Sequence, residues 1–191
     1  KEISKDIEKT FGTECEYAKK ELLPVKSVGV QGDNRTYAHP LVVWGETDWE
    51  KLHAISLKAT NNIRGINRVV LLLNENKSEK FILPEKSLYL TKERVDLIRK
   101  IDDIVNKEVK NSGIYEKIWQ FPVVLLPLTD RSGKESVVLR PINSRDAMTL
   151  NFYRMKKEIL DKIVQEISAT GKISHIFFDI TDKPPGTTEW E

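Results

Sequence analysis

Apolar residues recur at helical spacing in three stretches of this chain. The first stretch follows a capping box at Thr47 to Glu50 and predicts a helix that ends near Asn61. The second stretch begins after Thr91 and stops at Ser112. The third spans Met155 to Ser168, with its apolar residues on one face. These three helices are the elements that the periodicity predicts most clearly.

Extended segments alternate with these helices. Runs rich in β-branched and aliphatic residues, bounded by glycine or turn residues, are typical of strands. Such runs are present at Val25–Val30, Thr36–Trp44, Ile66–Leu73, Phe121–Leu128, Glu135–Ile142 and Ile173–Ile180. The turn-forming residues Asp130 to Gly133 separate two of these runs and predict a hairpin.

The predicted elements follow the same order in both halves of the chain. With a weaker helix ending near Leu22, the first half is α-β-β-α-β, and the second half repeats that order. We therefore predict an α+β protein of two tandem lobes, residues 1–83 and 84–191, related by a pseudo-two-fold axis. The helices are expected to pack on one face of mainly antiparallel sheets. The charged stretch Asn74 to Ser87 is the expected connector.

Composition and charge narrow the class of protein. Hydrophobic residues make up 39% and charged residues 31% of the 191 residues, which is enough apolar surface for folded structure throughout. No apolar run approaches the ~20 residues of a membrane span. No signal-peptide stretch follows Lys1, so the chain resembles an excised fragment. The single cysteine, Cys15, fits a reducing, cytoplasmic setting, and the net charge of only +2 does not favour nucleic acid.

The segment VGVQGDNRTY, residues 28–37, is the first candidate ligand site. Gly29 and Gly32 are expected to bracket a turn and to place Asp33 and Arg35 at the end of a strand. Arg35 is suited to pair with a phosphate, and Asp33 is suited to accept hydrogen bonds from sugar hydroxyls. An ordinary hairpin turn explains the same pattern and, on the pattern alone, is the commoner interpretation.

The tail KPPGTTEWE, residues 183–191, follows the last apolar strand. Its two prolines prevent helix formation and stiffen the segment. Lys183 is suited to anchor an anion and Glu189 to face a polar ligand, whereas a solvated tail is the alternative. Gln120, just before another strand, carries an amide that can read a base or ribose, although alone it indicates nothing.

Four motifs occur in a fixed order: LLPVKSVGVQGDNRTY, KIWQFPVVLLPL, SRDAMT and DITDKPPGTTEWE. Together they closely resemble the carboxyl-terminal region of glutamine-hydrolysing GMP synthases, over roughly residues 20–191. The resemblance implies a ligase of purine nucleotide biosynthesis that converts XMP to GMP, with ATP adenylating the base and glutamine supplying ammonia. ATP and Mg would be bound by a pyrophosphatase module that has no counterpart here. The fragment is therefore expected to be inactive alone, with no catalytic, cofactor-binding or metal-binding residue of its own.

Carried over by position, the resemblance implies five contacts to XMP: Asp33, Arg35, Gln120, Lys183 and Glu189. Arg35 and Lys183 are expected to hold the phosphate charge, and the other three to form hydrogen bonds to ribose and base. The glycine segment and SRDAMT lie in different halves here, which resembles the longer, duplicated form found in eukaryotic-type enzymes. The implied partners are the glutaminase and pyrophosphatase modules, with an internal pseudo-dimer and a possible homodimer as the assembly.

Two other classes of function stay open. The α-β-β-α-β order also resembles KH-type RNA-binding domains, which the near-neutral charge disfavours. A ligand-free assembly domain, in which Lys183 and Glu189 form an interlobe ion pair, predicts no XMP binding at any concentration.

Overall fold

Helices and strands alternate along the chain in the computed structural model, which describes residues 2–12, 18–31, 34–74, 81–85, 87–144 and 148–190. The helices are α1 (Glu2–Phe11), α2 (Trp49–Asn62), α3 (Lys92–Asn111) and α4 (Lys157–Ala169), with a single 3-10 turn at Tyr115–Lys117. The three helices predicted from periodicity are thereby confirmed as α2, α3 and α4.

Side-chain caps fix where α2 and α3 begin. Asp48 Oδ1 accepts hydrogen bonds from the N–H groups of Glu50 at 2.8 Å and Lys51 at 3.2 Å, which satisfies donors that the first turn leaves free. The cap of α2 therefore lies one residue after the predicted position. Thr91 caps α3 in the same way, as predicted.

The strands are short except for β3. They are β1 (Lys19–Leu22), β2 (Ser27–Gln31), β3 (Asn34–Trp44), β4 (Ile66–Leu72), β5 (Val123–Thr129), β6 (Glu135–Leu139), β7 (Ile142–Ser144), β8 (Leu150–Phe152) and β9 (Ile173–Asp179). Every predicted strand has a counterpart, although the run predicted at Glu135–Ile142 is interrupted at Arg140 and Pro141 and contributes to both β6 and β7.

The predicted end of the first helix is wrong. α1 ends at Phe11, and the residues near Leu22 form β1, which pairs antiparallel with β3 from Lys19 opposite Trp44 to Leu22 opposite Leu41. Exposed and half-buried positions alternate along β1, since it lies at the edge of the sheet. Its charged composition therefore reflects an edge position and not the polar face of a helix.

One mixed sheet of seven strands joins both halves of the chain, in the order β1-β3-β4-β9-β6-β5 with β2 paired to β3. The pairs β3·β4 and β6·β9 are parallel, and the other four pairs are antiparallel. At the centre, β4 and β9 run antiparallel with Val70 opposite Asp179.

The predicted α+β class is confirmed, but both halves share one sheet instead of forming a sheet each.

The strand order reads the same outward in both directions from the β4·β9 pair. On each side a parallel neighbour comes first, connected through α2 or α4, and an antiparallel partner follows, β1 beyond β3 and β5 beyond β6. The division into lobes 1–83 and 84–191 stays a prediction, because the shared sheet does not separate the two halves.

Apolar side chains cover both faces of this sheet. On one face, buried residues from all four helices pack against Leu41, Val69 and Phe178. On the other face, Val70 packs in a second cluster that includes Trp190 of the C-terminal segment. Helices therefore lie on one face and the tail on the other. None of the helices in the described ranges has the length and apolar character needed to cross a lipid bilayer.

We expect Leu52→Ala to lower the free energy of unfolding by about 2–5 kcal/mol, because it opens a cavity beneath α2. Leu52 is fully buried, whereas Leu90 is 85% exposed, so Leu90→Ala is a control of identical chemistry that should change the free energy by less than about 0.5 kcal/mol. Urea denaturation of the two variants measures the difference. Equal effects at the two positions would contradict the described core.

Candidate functional site

Three fully buried charged residues meet beneath the C-terminal segment. Asp179 Oδ2 lies 2.8 Å from a terminal nitrogen of Arg68 and 2.7 Å from one of Arg140. Asp179 ends β9, Arg68 lies on β4 and Arg140 directly follows β6, so the neighbouring strands of the sheet bring them together. Trp190 Nε1 donates a third hydrogen bond to the same carboxylate oxygen at 2.9 Å.

Both guanidinium groups also hold the backbone of the tail. Arg140 donates to the carbonyl of Thr187 at 2.7 Å and to that of Thr188 at 3.1 Å. Arg68 donates to the Thr187 hydroxyl at 2.6 Å and to the carbonyl of Glu189, and its guanidinium carbon lies 5.0 Å from the Trp190 ring centroid. The backbone of the tail is thereby fixed on the sheet, which excludes the alternative of a solvated tail.

Burial and the neighbouring charges shift the pKa of Asp179 in opposite directions. Burial alone would raise the pKa of Asp179, but the positive charges of Arg140 and Arg68 and hydrogen bonds from Thr181 hold that pKa below its usual range. Burial lowers the pKa of Arg68 to about 10, so its guanidinium stays protonated at neutral pH. The cluster therefore places two positive charges and one negative charge in the interior.

The tail also pairs with β2, the strand of the glycine segment. Val28 N–H donates to the carbonyl of Trp190 at 3.1 Å, and Val30 N–H donates to that of Pro185 at 2.7 Å. Between these bonds, a Cβ on Gly29 would lie 2.7 Å from Asn67 Cβ and 2.9 Å from Pro185 O. Glycine is needed here because the Asn67 side chain and the Pro185 carbonyl approach so closely.

The antiparallel pairing of β2 with β3, with Gln31 opposite Asn34, favours the hairpin interpretation, but the predicted place of Gly29 at the turn is wrong. Gly29 lies inside β2, opposite Thr36 of β3, and does not bracket a turn. Gly32 and Asp33 lie outside the described residues. Residues 29–32 also satisfy the G-x-x-G pattern of KH domains, whose loop clamps a nucleic acid backbone. Because the tail and Asn67 already pack against Gly29, this strand does not favour RNA binding.

Arg35 lies on β3, whereas Lys183 and Glu189 lie on the tail, which is bonded to the neighbouring strand β2. Arg35 is exposed on β3 opposite Val30, which is itself bonded to Pro185 of the tail. Lys183 is half-buried two residues earlier in the tail, and Glu189 is exposed near its end. The structure thus brings segments that are about 150 residues apart in sequence next to each other, through backbone hydrogen bonds.

Gln120 lies in a cleft apart from the other predicted contacts. It exchanges backbone hydrogen bonds with Ile142 and lines a cleft of about 950 Å³ beside Asn143, Thr149 and Asn151. Within the described part of the chain, the lining of this cleft does not include Arg35, Lys183 or Glu189. Leu150, which follows Thr149 of this cleft, pairs with Lys183 of the tail.

The buried charges of this site were not predicted. Arg68, Arg140 and Asp179 each lie within or directly after a strand whose residues are mostly buried, as in INRVVLL and ISHIFFD. A charge in a strand that is buried on both faces requires a partner, and that was the signal available in the sequence. The partners are not local, since Arg68 and Asp179 are 111 residues apart.

The chain is similar to known proteins of one family. The model of the family described as "GMP synthase C terminal domain" matches residues 7–78 and 107–190. A "Probable GMP synthase [glutamine-hydrolyzing]" of Leptospira interrogans is 44% identical over 171 residues, which are 89% of this chain and 28% of that relative.

Other relatives match a shorter part of the chain. The "GMP synthase [glutamine-hydrolyzing]" of Oleidesulfovibrio alaskensis is 41% identical over 110 residues, 53% of this chain and 21% of the relative. That of Heliobacterium modesticaldum is 43% identical over 112 residues, 53% of this chain and 22% of the relative. The chain thus spans between 21% and 28% of the length of these curated relatives.

We expect Asp179→Asn to lower the free energy of unfolding at pH 7 by about 3–5 kcal/mol, because two buried guanidinium groups lose their counter-charge. The control is Asp161→Asn, which removes a carboxylate that is 60% exposed and should change this free energy by less than about 0.5 kcal/mol. Urea denaturation measures both variants.

The Asp179→Asn variant also tests how the stability of the folded chain depends on pH in the acid range. Because the pKa of Asp179 is lower in the folded chain than its ordinary value of 3.8, its stabilisation is complete above pH 3.8 and is lost as the pH falls toward the folded-state pKa. The parent chain should therefore lose stability more steeply below pH 3.8 than Asp179→Asn does. Parallel pH profiles for the two proteins would contradict this assignment.

Proposed function

We propose, since this chain belongs to the family of GMP synthase C-terminal domains, that it supplies the XMP-holding surface of a glutamine-hydrolysing GMP synthase. In such an enzyme ATP activates the base of XMP, and ammonia from glutamine then displaces AMP to give GMP. ATP and Mg are bound by the pyrophosphatase module in this proposal, and the glutaminase module releases the ammonia. The chain contributes contacts to the substrate and no catalytic residue.

The observation that carries the proposal is the docking of the tail against the glycine strand. Two backbone hydrogen bonds from β2 to the tail bring two cationic side chains, Arg35 and Lys183, onto adjoining segments. Cationic side chains on fixed backbone suit a phosphate group, because charge-assisted hydrogen bonds are strong and little ordering entropy remains to be lost on binding. Such a surface matches the anionic end of a nucleotide.

The roles of the individual contacts follow from their chemistry. Arg35 and Lys183 hold the phosphate, and Glu189 accepts hydrogen bonds from ribose or base. Asp33 and Gln120 complete the set. The role of Asp33 rests on the resemblance alone, and Gln120 reaches the substrate from the cleft beside β7 and β8. A substrate that contacts both Lys183 and Gln120 would need to extend from the tail toward that cleft.

The assembly is proposed to be an internal pseudo-dimer of two related lobes, with a homodimer as a further possibility for the whole enzyme. Two observations support the duplication. The strand order is symmetric about β4·β9, and the Leptospira relative aligns with 89% of this chain, whereas two others align with 53%. The longer alignment fits a duplicated form and the shorter ones fit a single unit. We also propose that the enzyme is cytoplasmic.

We expect Lys183→Ala to weaken XMP binding by about ten- to a hundredfold, because it removes a charge-assisted hydrogen bond to the phosphate. Calorimetric titration of this chain with XMP measures the dissociation constant, and GMP serves as a second ligand. Lys172→Ala is the matched control, because Lys172 is exposed at the turn between α4 and β9 and should leave binding unchanged.

Equal XMP affinity in the two lysine variants would contradict the proposed phosphate contact. If the folded chain alone gives no heat, the same substitutions are compared in the full-length enzyme, where Lys183→Ala should raise the KM for XMP and Lys172→Ala should not. No rise in KM there would exclude the contact altogether.

A further inference from the structure

A histidine on α2 reaches the residue that precedes Lys183. His53 Nε2 lies 2.7 Å from Asp182 Oδ2, with 24% and 15% of the two side chains exposed. The two residues are 129 positions apart, so the contact joins the first half of the chain to the residue just before the tail. Neither residue belongs to the set of proposed XMP contacts.

The surroundings of His53 determine which ring nitrogen carries the proton. A terminal nitrogen of Arg154 lies 3.3 Å from His53 Nδ1. A guanidinium group can only donate hydrogen bonds, so Nδ1 must accept and Nε2 must carry the hydrogen. His53 therefore donates to Asp182 through Nε2. Arg154 also forms a salt bridge, at 3.2 Å, with Glu50, which lies on α2 like His53. Glu50, Arg154, His53 and Asp182 thus form a continuous chain of polar contacts.

Asp182 is held at three points. Its Oδ2 accepts from His53, its Oδ1 accepts from the N–H of Phe152 at 3.1 Å, and its carbonyl accepts from the N–H of Gly186 at 2.9 Å. The last bond closes the turn that contains Lys183. The ring of Phe152 lies edge-on to His53 with centroids 5.6 Å apart, so the imidazole is held from the side as well.

The adjoining residue, Lys183, is paired with the same short strand. Its N–H donates to the carbonyl of Leu150 at 2.9 Å, and its carbonyl accepts from the N–H of Leu150 at 3.3 Å. Leu150 and Phe152 are both on β8, so the Asp182 side chain and the Lys183 backbone bind one strand in a single register. Displacement of Asp182 would release Lys183 from this strand.

We propose that His53 and Asp182 are positioning residues that hold Lys183 against β8 in the orientation needed for an anionic substrate group. The inference rests on the proposed function for its consequence in binding, but the effect on the Lys183 backbone does not depend on any ligand. His53 acts through Asp182 and touches no substrate. The first half of the chain thereby sets the geometry of a contact that the second half supplies.

The first measurement is hydrogen exchange of the Lys183 amide in this chain. His53→Leu keeps a similar volume but removes the donor, and should accelerate this exchange by about tenfold, as expected for the loss of one hydrogen bond to a carboxylate. His53→Gln retains an N–H donor in place of Nε2 and should restore slow exchange. The control is His39→Leu, which removes another half-buried histidine whose Nδ1 lies 2.9 Å from the Leu23 carbonyl oxygen.

The second measurement is steady-state kinetics of the full-length enzyme. His53→Leu and Asp182→Asn should each raise the KM for XMP by about tenfold with kcat within about twofold of the parent, because they misplace a binding group. The double variant should be no worse than the poorer single variant, since both changes remove the same contact. His53→Gln should restore the KM, and His39→Leu should not change it.

The outcomes separate the two proposals. Unchanged exchange of the Lys183 amide in His53→Leu overturns the positioning role, whatever the kinetics show. Faster exchange with an unchanged KM in both His53→Leu and Lys183→Ala leaves the positioning role intact and overturns the phosphate contact. Equal acceleration in His39→Leu assigns the effect to general loss of stability and also overturns the positioning role.

Discussion

A single buried carboxylate between two arginines holds the sheet and the tail together. Asp179 balances only one of the two positive charges that Arg68 and Arg140 bring into the interior. Several of the remaining N–H groups of both guanidiniums donate to carbonyl oxygens and a hydroxyl of the tail, whereas Arg68 Nε is buried without a hydrogen-bond partner among the described residues. Because the tail covers these donors, its carbonyl oxygens provide hydrogen bonds that buried groups would otherwise lack, and such a lack is costly in an apolar interior. The three central strands and the last residues of the chain therefore depend on one another energetically.

Much of the fold could be predicted because its pattern is local. The helices α2, α3 and α4 show their apolar stripes within windows of 13 to 20 residues, and β4 and β9 are short runs in which apolar residues predominate. The misassigned segment at Lys19 to Leu22 is four residues long, too short for its period to distinguish a helix from an edge strand. β8 has three residues and was missed for the same reason.

The site was harder to predict because its determinants are distant in sequence. Lys183 and Glu189 could be named from the tail motif, but nothing in that motif indicates which residues hold the tail in place. Arg68 is 119 positions from Thr187, and His53 is 129 positions from Asp182. Local pattern carries no information on such pairs. Only the sheet order, with β9 inserted between β4 and β6, brings them within hydrogen-bonding distance.

The central position of β9 has a consequence for how the chain acquires its structure during synthesis. β4 ends at Leu72 and its partner β9 begins at Ile173, so about 100 residues separate two strands that must pair. At a translation rate of about 5–20 residues per second, the apolar edge of β4 stays without its partner for roughly 5–20 seconds on the ribosome. Over that interval the nascent chain presents an unpaired strand to other polypeptides. Ribosome-associated chaperones and the pace of translation are therefore expected to influence the yield of folded protein.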